Sequence, residues 1–169
     1  MTATIPPPSL SPPPLRYWLM KSEPADCSID DLAARPQQPV PWVGVRNYQA
    51  RNFMRDTMQV GDLAFFYHSS CPQPGIVGIV QISSTAYTDT TQFDPHSKYF
   101  DPLSKPDVPR WQLVDVLLVR KLPLISLAQL RDQLALADLR ILQRGNRLSI
   151  TPVDAAHWEQ IIQLSALQK

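Results

Sequence analysis

Glycine is scarce in this 169-residue chain, five in all, and none forms the Gly-x-Gly-x-x-Gly or Walker spacing. Both loops need closely set glycines so that backbone N–H groups can cradle phosphates, which argues against nucleotide-driven chemistry. Cysteine is scarcer still. Cys27 and Cys71 stand far apart without Cys-x-x-Cys spacing, which argues against a zinc site or a disulfide framework and suits small packing residues in a reducing compartment. No run approaches the roughly 18 apolar residues of a membrane span, and no basic segment followed by an apolar one opens the chain. The expectation is a soluble cytoplasmic protein with no membrane partner. Excess charge is also missing. A formal net charge of +1 gives too weak a field to hold a polyanion by itself, so any nucleic-acid contact must be local.

Proline, by contrast, is abundant. Six of the 18 prolines fall in MTATIPPPSLSPPP, residues 1–14, an uncharged stretch expected to form an extended, disordered tail before a single domain over 15–169. Within that domain RYWLMKS (16–22) is rich in strand formers and stops at Pro24. Ser28 and Asp31 have capping-box spacing for a short helix that ends before Pro36. Asn47 can cap a second helix in which Ala50, Phe53 and Met54 recur at helical spacing. LAFFYHS and IVGIVQISS read as two strands joined by CPQPG. Residues 85–110 form a long loop, but Phe93, Tyr99 and Phe100 are too aromatic for a disordered segment. WQLVDVLLVRKL (111–122) reads as one long strand ended by Pro123. SLAQLRDQL follows as a helix behind Ser126, RLSITPV as a last strand, and Asp154 starts a helix through about Leu164. Short mixed strands with peripheral helices predict an α+β fold with a small, curved, barrel-like sheet.

Few residues are placed for catalysis. His68 and Ser69 alternate to opposite faces of a strand, and no nucleophile elbow surrounds the serine. His96 and His157 lack metal-ligand spacing. Binding chemistry is better represented in PWVGVRNYQARN (41–52). Trp42, in a loop before a helix, offers a stacking face, and nearby N–H groups with Asn47 offer donors and acceptors for a base edge, as a flipped base requires. Its alternative is a core tryptophan, the assignment given to Trp18, Trp111 and Trp158. Arginines gather at Arg46, Arg51 and Arg55, and again over 120–147, where six cations face two acids. These blocks are either a strip for a phosphate backbone or ordinary solvated surface.

Seven stretches in order carry a resemblance: RYWLMKSEP (16–24), SIDDL (28–32), WVGVRNYQARN (42–52), GDLAFFYHS (61–69), PGIVGIV (74–80), YTDTTQFDPHSKYFDP (87–102) and RLSITPV (147–153). Together they resemble the EVE domain family from about Arg16 to Leu164. The resemblance implies a PUA-like fold, a curved mixed sheet closing toward a pseudo-barrel with peripheral helices, similar to YTH readers of methylated adenine in RNA. It implies a non-enzymatic, nucleic-acid-binding reader with a pocket for a modified base, modified cytosine in DNA before RNA, and no catalytic residue, cofactor or metal. Carried over onto matching positions, Lys21 and Ser22 lie beside the pocket, Trp42 forms a wall, and Val43, Gly44 and Asn47 supply edge contacts. Tyr67, His68 and Ser69 line the opposite strand, where alternation cannot turn all three inward, Tyr99 and Phe100 close the mouth, Arg147 reaches a phosphate, and Arg46 and Arg51 either do the same or form internal ion pairs. The rival on the same scaffold is a small-ligand-binding or RNA-processing protein, with His68 or Glu23 as its titratable group.

Overall fold

The computed structural model describes residues 14–168, so the proline-rich tail lies, apart from Pro14, outside the described residues. Two-residue alternation builds the layers. In β1 (Tyr17–Ser22) Trp18 and Met20 enter one core while Leu19 enters another, and β3 (Leu63–His68) repeats the split with Ala64 and Phe66 against Phe65 and Tyr67. Both faces of this strand pair are therefore buried.

With β2 (Val40–Pro41), β4 (Gly75–Ile82), β7 (Asp115–Ser126) and β8 (Ile150–Val153), these strands make one six-stranded sheet ordered β2-β7-β4-β3-β1-β8. β1 and β3 run parallel and every other pairing is antiparallel. Irregular register after Phe66, Ile76 and Ile79 adds local twist, and the sheet curls into a half-barrel. β5 (Tyr87–Thr88) and β6 (Gln112–Leu113) form a separate two-stranded ribbon. The sequence from Trp111 is thus not one strand: it breaks between β6 and β7. Nor does Pro123 end β7, which runs on to Ser126. Pro123 falls in the register irregularity between Lys121 and Ile125, and β2 covers the other edge only at Asp115 and Val116, so no ladder hydrogen bond needs its missing N–H.

Ser28 caps α1 (Ile29–Ala33) in the expected capping box, and Asn47 caps α2 (Tyr48–Asn52), which continues as a π-helical turn through Thr57. α3 (Leu127–Arg131) is shorter than the sequence pattern suggested, giving way to 3-10 turns. α4 (Ala155–Ala166) covers one face, with Trp158 stacked on Phe65 at 3.9 Å and Tyr17 at 4.5 Å. Among the described residues no helix is long and apolar enough to cross a membrane.

One buried carboxylate joins the start of the parallel pair. Asp62, fully buried, accepts from the Arg16 N–H (3.1 Å), Trp18 Nε1 (3.0 Å) and the Gln59 N–H (3.0 Å). Replacing it would strand three donors. Asp62→Ala is expected to lower unfolding free energy by on the order of 3 kcal/mol in urea denaturation, and a loss within experimental error would show that the three donors find other acceptors.

Candidate nucleic-acid interface

Because β1 and β3 are parallel, their C-terminal ends open at the same edge, where the Ser69 N–H donates to the Ser22 carbonyl at 3.0 Å. A cavity of about 590 Å³ lies there. Its floor and sides come from Lys21 and Ser22 at the end of β1, the turn through Cys27, and the segment leaving β2 as Trp42–Val45. Ser69, the Lys98–Tyr99 loop, and Arg147 with Ser149 before β8 complete it. A volume of this size suits a nucleoside-sized ligand.

Of the residues expected at a base pocket, Lys21, Ser22, Trp42, Val43, Gly44, Ser69 and Tyr99 line this cavity, and so does Arg147, expected at a phosphate. Four others do not. Alternation turns Tyr67 into the opposite core beneath α4, where it is buried. His68 is taken up locally: its Nε2 accepts the Ile29 N–H at 3.1 Å, and burial pushes its pKa down despite the nearby Asp30. Asn47 spends its side chain capping α2 through the Ala50 N–H. Phe100 is exposed outside the lining. Trp42 is both wall and core, 7% exposed and set edge-on to Phe66 at 5.4 Å.

The main-chain donors expected to read a base are also occupied. The N–H groups of Trp42, Val43 and Gly44 donate to the Val114 carbonyl, the Pro41 carbonyl and Asp89 Oδ2. Directional chemistry in the cavity therefore falls to side chains. Asp26 and Lys98 line it without having been singled out, and Glu23 and Cys27 line it although the sequence offered them only as a rival's titratable group and a packing residue, because nothing in their spacing shows that the 23–27 turn and the 98–99 loop meet. They meet through an ion pair from Lys98 Nζ to both Asp26 oxygens at 2.7 and 2.8 Å.

Arg46 and Arg51, expected at phosphates, are engaged within the chain. Arg46 Nη1 pairs with Asp89 Oδ2 at 3.0 Å while its Nε and Nη2 donate to the Tyr99 carbonyl at 3.0 and 2.8 Å. Arg51 donates to the Arg110 carbonyl and to Asn52, and lies 4.7 Å over the Tyr48 ring. Both guanidinium groups hold the long loop to α2 and its lead-in.

Comparison with known proteins decides the family. The EVE domain model matches residues 16–164. The chain belongs to the EVE domain family. Thymocyte nuclear protein 1 of Danio rerio is 44% identical over 170 residues, covering 90% of this chain and 73% of the relative. A crystal structure of a Pseudomonas putida protein is 49% identical with a TM-score of 0.83, covering 88% of this chain and 99% of that one. The crystal structure of human THYN1 protein in complex with 5-methylcytosine-containing DNA is 41% identical with a TM-score of 0.85, covering 91% of this chain and 99% of that chain.

In this EVE domain the wall formed by Gly44 and Tyr99 tolerates no extra atom. Gly44 has φ +86°, and a Cβ there would lie 2.4 Å from the Tyr99 ring. Gly44→Ala is expected to cost about 2 kcal/mol, from left-handed backbone plus overlap. In a Tyr99→Ala background the cost should shrink to the backbone share. Equal costs in both backgrounds, read from a double-mutant cycle, would remove the ring contact from the account.

Asp89 also sets a pH dependence. Burial pushes its pKa up, but the Gly44 N–H, Thr91 and Arg46 outweigh burial and leave it below the ordinary carboxylate value. The unfolded chain then takes up this proton first as the solution is acidified, so the stabilisation holds at neutral pH and is lost as pH falls through the folded value. Between about pH 5 and pH 2 the stability of Asp89→Asn should fall less steeply than that of wild type, as urea midpoints would show.

Proposed function

We propose that this EVE domain is a non-enzymatic reader that takes a modified base, modified cytosine in DNA, into the cavity at the ends of β1 and β3. The observation that carries the reading is the cavity itself: nucleoside-sized, walled by the rigidly packed Trp42, and lined by three cations, Lys21, Lys98 and Arg147. Lys98 is paired with Asp26, and neither Lys21 nor Arg147 has an ion-pair partner among the described residues. The half-buried Lys21 ammonium stands 5.7 Å over the Tyr67 ring, and desolvation lowers its pKa. The human relative bound to 5-methylcytosine-containing DNA supports the choice of base and of DNA.

A phosphate grip is at hand beside the cavity. Arg140, Arg144 and Arg147 are exposed on one stretch that holds no acid from Leu139 to Val153. That stretch is ordered by Asn146, whose Nδ2 donates to the Arg140 carbonyl at 2.6 Å and whose Oδ1 accepts the Leu148 N–H at 2.9 Å. A rival catalytic reading has less to stand on, since the His68 Nε2 already accepts a backbone N–H.

Fluorescence anisotropy with duplexes carrying one 5-methylcytosine or cytosine tests the reading. The methylated probe should bind more tightly, and Trp42→Phe, which keeps an aromatic ring in the core, should reduce that preference. Arg147→Gln should leave the preference intact while flattening the slope of log K against log salt by about 0.9, one phosphate's share. Equal binding of both probes by wild type would refute the reader.

A further inference from the structure

The methyl group alone cannot define the ligand, because thymine carries the same 5-methyl. What separates the two bases is the neighbouring edge: 5-methylcytosine presents an N4 amine donor where thymine presents the O4 acceptor. A cavity that admits one and rejects the other needs an acceptor at that position, and a carboxylate is the strongest available, since it accepts from the amine and repels the carbonyl oxygen.

The charged groups in the cavity are distributed for such a choice. One rim carries Arg147: the Lys21 backbone N–H donates to the Ser149 carbonyl at 2.8 Å, which holds the strand leading to β8 beside β1, while the Lys21 ammonium stands 5.7 Å over the Tyr67 ring. Across the 23–27 turn the lining is acidic, with Glu23 and Asp26. Asp26 is already neutralised by Lys98 and lies 3.4 Å from the Tyr99 hydroxyl. Glu23 has neither an ion-pair nor a hydrogen-bond partner for its carboxylate among the described residues. Its backbone is nonetheless fixed, the carbonyl accepting the Asp26 and Cys27 N–H groups at 2.9 and 3.0 Å. Glu23 shares the cavity lining with Lys98 and Tyr99. The Ser22 hydroxyl donates its hydrogen to the Cys27 carbonyl at 2.6 Å, so its oxygen offers the cavity lone pairs but no charge, which leaves Glu23 as the stronger acceptor.

We propose that Glu23 is the specificity-determining residue of this cavity, accepting the exocyclic amine of 5-methylcytosine and excluding thymine. The inference rests on the proposed reader function. The acceptor edge of the base, O2 and N3, then faces Arg147, and the methyl is left to the apolar wall.

The test uses the full chain and duplexes in which 5-methylcytosine, cytosine or thymine stands opposite an abasic site, so that no base gives up a pair. Wild type should favour 5-methylcytosine over thymine by about tenfold or more, the range of one well-placed polar contact. Glu23→Gln, which offers an amide able to donate to O4, should cut that ratio by roughly tenfold while the ratio of 5-methylcytosine to cytosine stays at its wild-type value. Thermal melting superimposable on wild type would show that the exposed substitution left the fold alone. A 5-methylcytosine to thymine ratio unchanged in Glu23→Gln overturns the proposal, as does loss of that ratio in Asp26→Asn but not in Glu23→Gln. Wild type that fails to separate 5-methylcytosine from cytosine is the distinct result, sinking the reader itself and this inference with it.

Discussion

The Asp89 carboxylate is the point on which the site depends. Its two oxygens accept four donors: the Gly44 N–H and Arg46 Nη1 on one, the Thr91 N–H and hydroxyl on the other. The first pair belongs to the segment leaving β2, the second to the loop beyond β5, some 45 residues on. Fully buried, the carboxylate fixes both segments at once, and Arg46 extends the tie to the Tyr99 carbonyl. Two loops that would otherwise sample many positions thus become one wall. Holding a wall before a ligand arrives removes ordering entropy from the binding step, which is how a small contact area sustains useful affinity.

This arrangement explains where the arginines went. In a chain of net charge +1, a broad basic face is unavailable, and two of the cations nearest the cavity in sequence, Arg46 and Arg51, are consumed in holding loops. The stretch from Arg140 to Arg147 has no acid within it, and its last arginine lines the cavity. The electrostatic footprint beside the cavity is accordingly narrow. On the proposed reading, that economy would keep affinity for unmodified nucleic acid low and leave selectivity to the inside of the cavity.

Much of the fold was legible in the sequence because it rests on local signals. The Ser28 and Asn47 caps and the alternation in YWLMKS and LAFFYH each depend on residues within one or two turns. Pro123 misled because a proline's cost depends on which strand edge is already covered, a property of the partner strands. The site was legible in part and for a different reason: Trp42, Gly44 and Ser22 came from the family pattern of the chain. Tyr67 and His68 were placed by membership of one motif, where alternation allows only some of its residues to face the cavity. Asn47 and Arg46 carried polar groups that read equally well as ligand contacts or as structural ties. For Asn47 the partner is local, the Ala50 N–H that its oxygen accepts, but for Arg46 the choice needs the acceptor Asp89, which sits far along the chain.

The balance of forces in the cavity argues for polar selection over methyl recognition. Burying one methyl contributes about 0.8 kcal/mol, roughly a fourfold preference, and thymine would collect the same amount. Stacking on an aromatic wall is larger but blind to the base, since every base has a flat face. With the backbone N–H groups of Trp42, Val43 and Gly44 all engaged, discrimination is left to the few ionic side chains lining the cavity. A carboxylate and a guanidinium without ion-pair partners among the described residues, Glu23 and Arg147, give the cavity an electrical direction, and a ligand edge with acceptors beside a donor matches it. A base with the opposite edge meets repulsion at the same distance. With Trp42 packed in the core and the Gly44 segment tied to Asp89, the wall does not shift to relieve that repulsion.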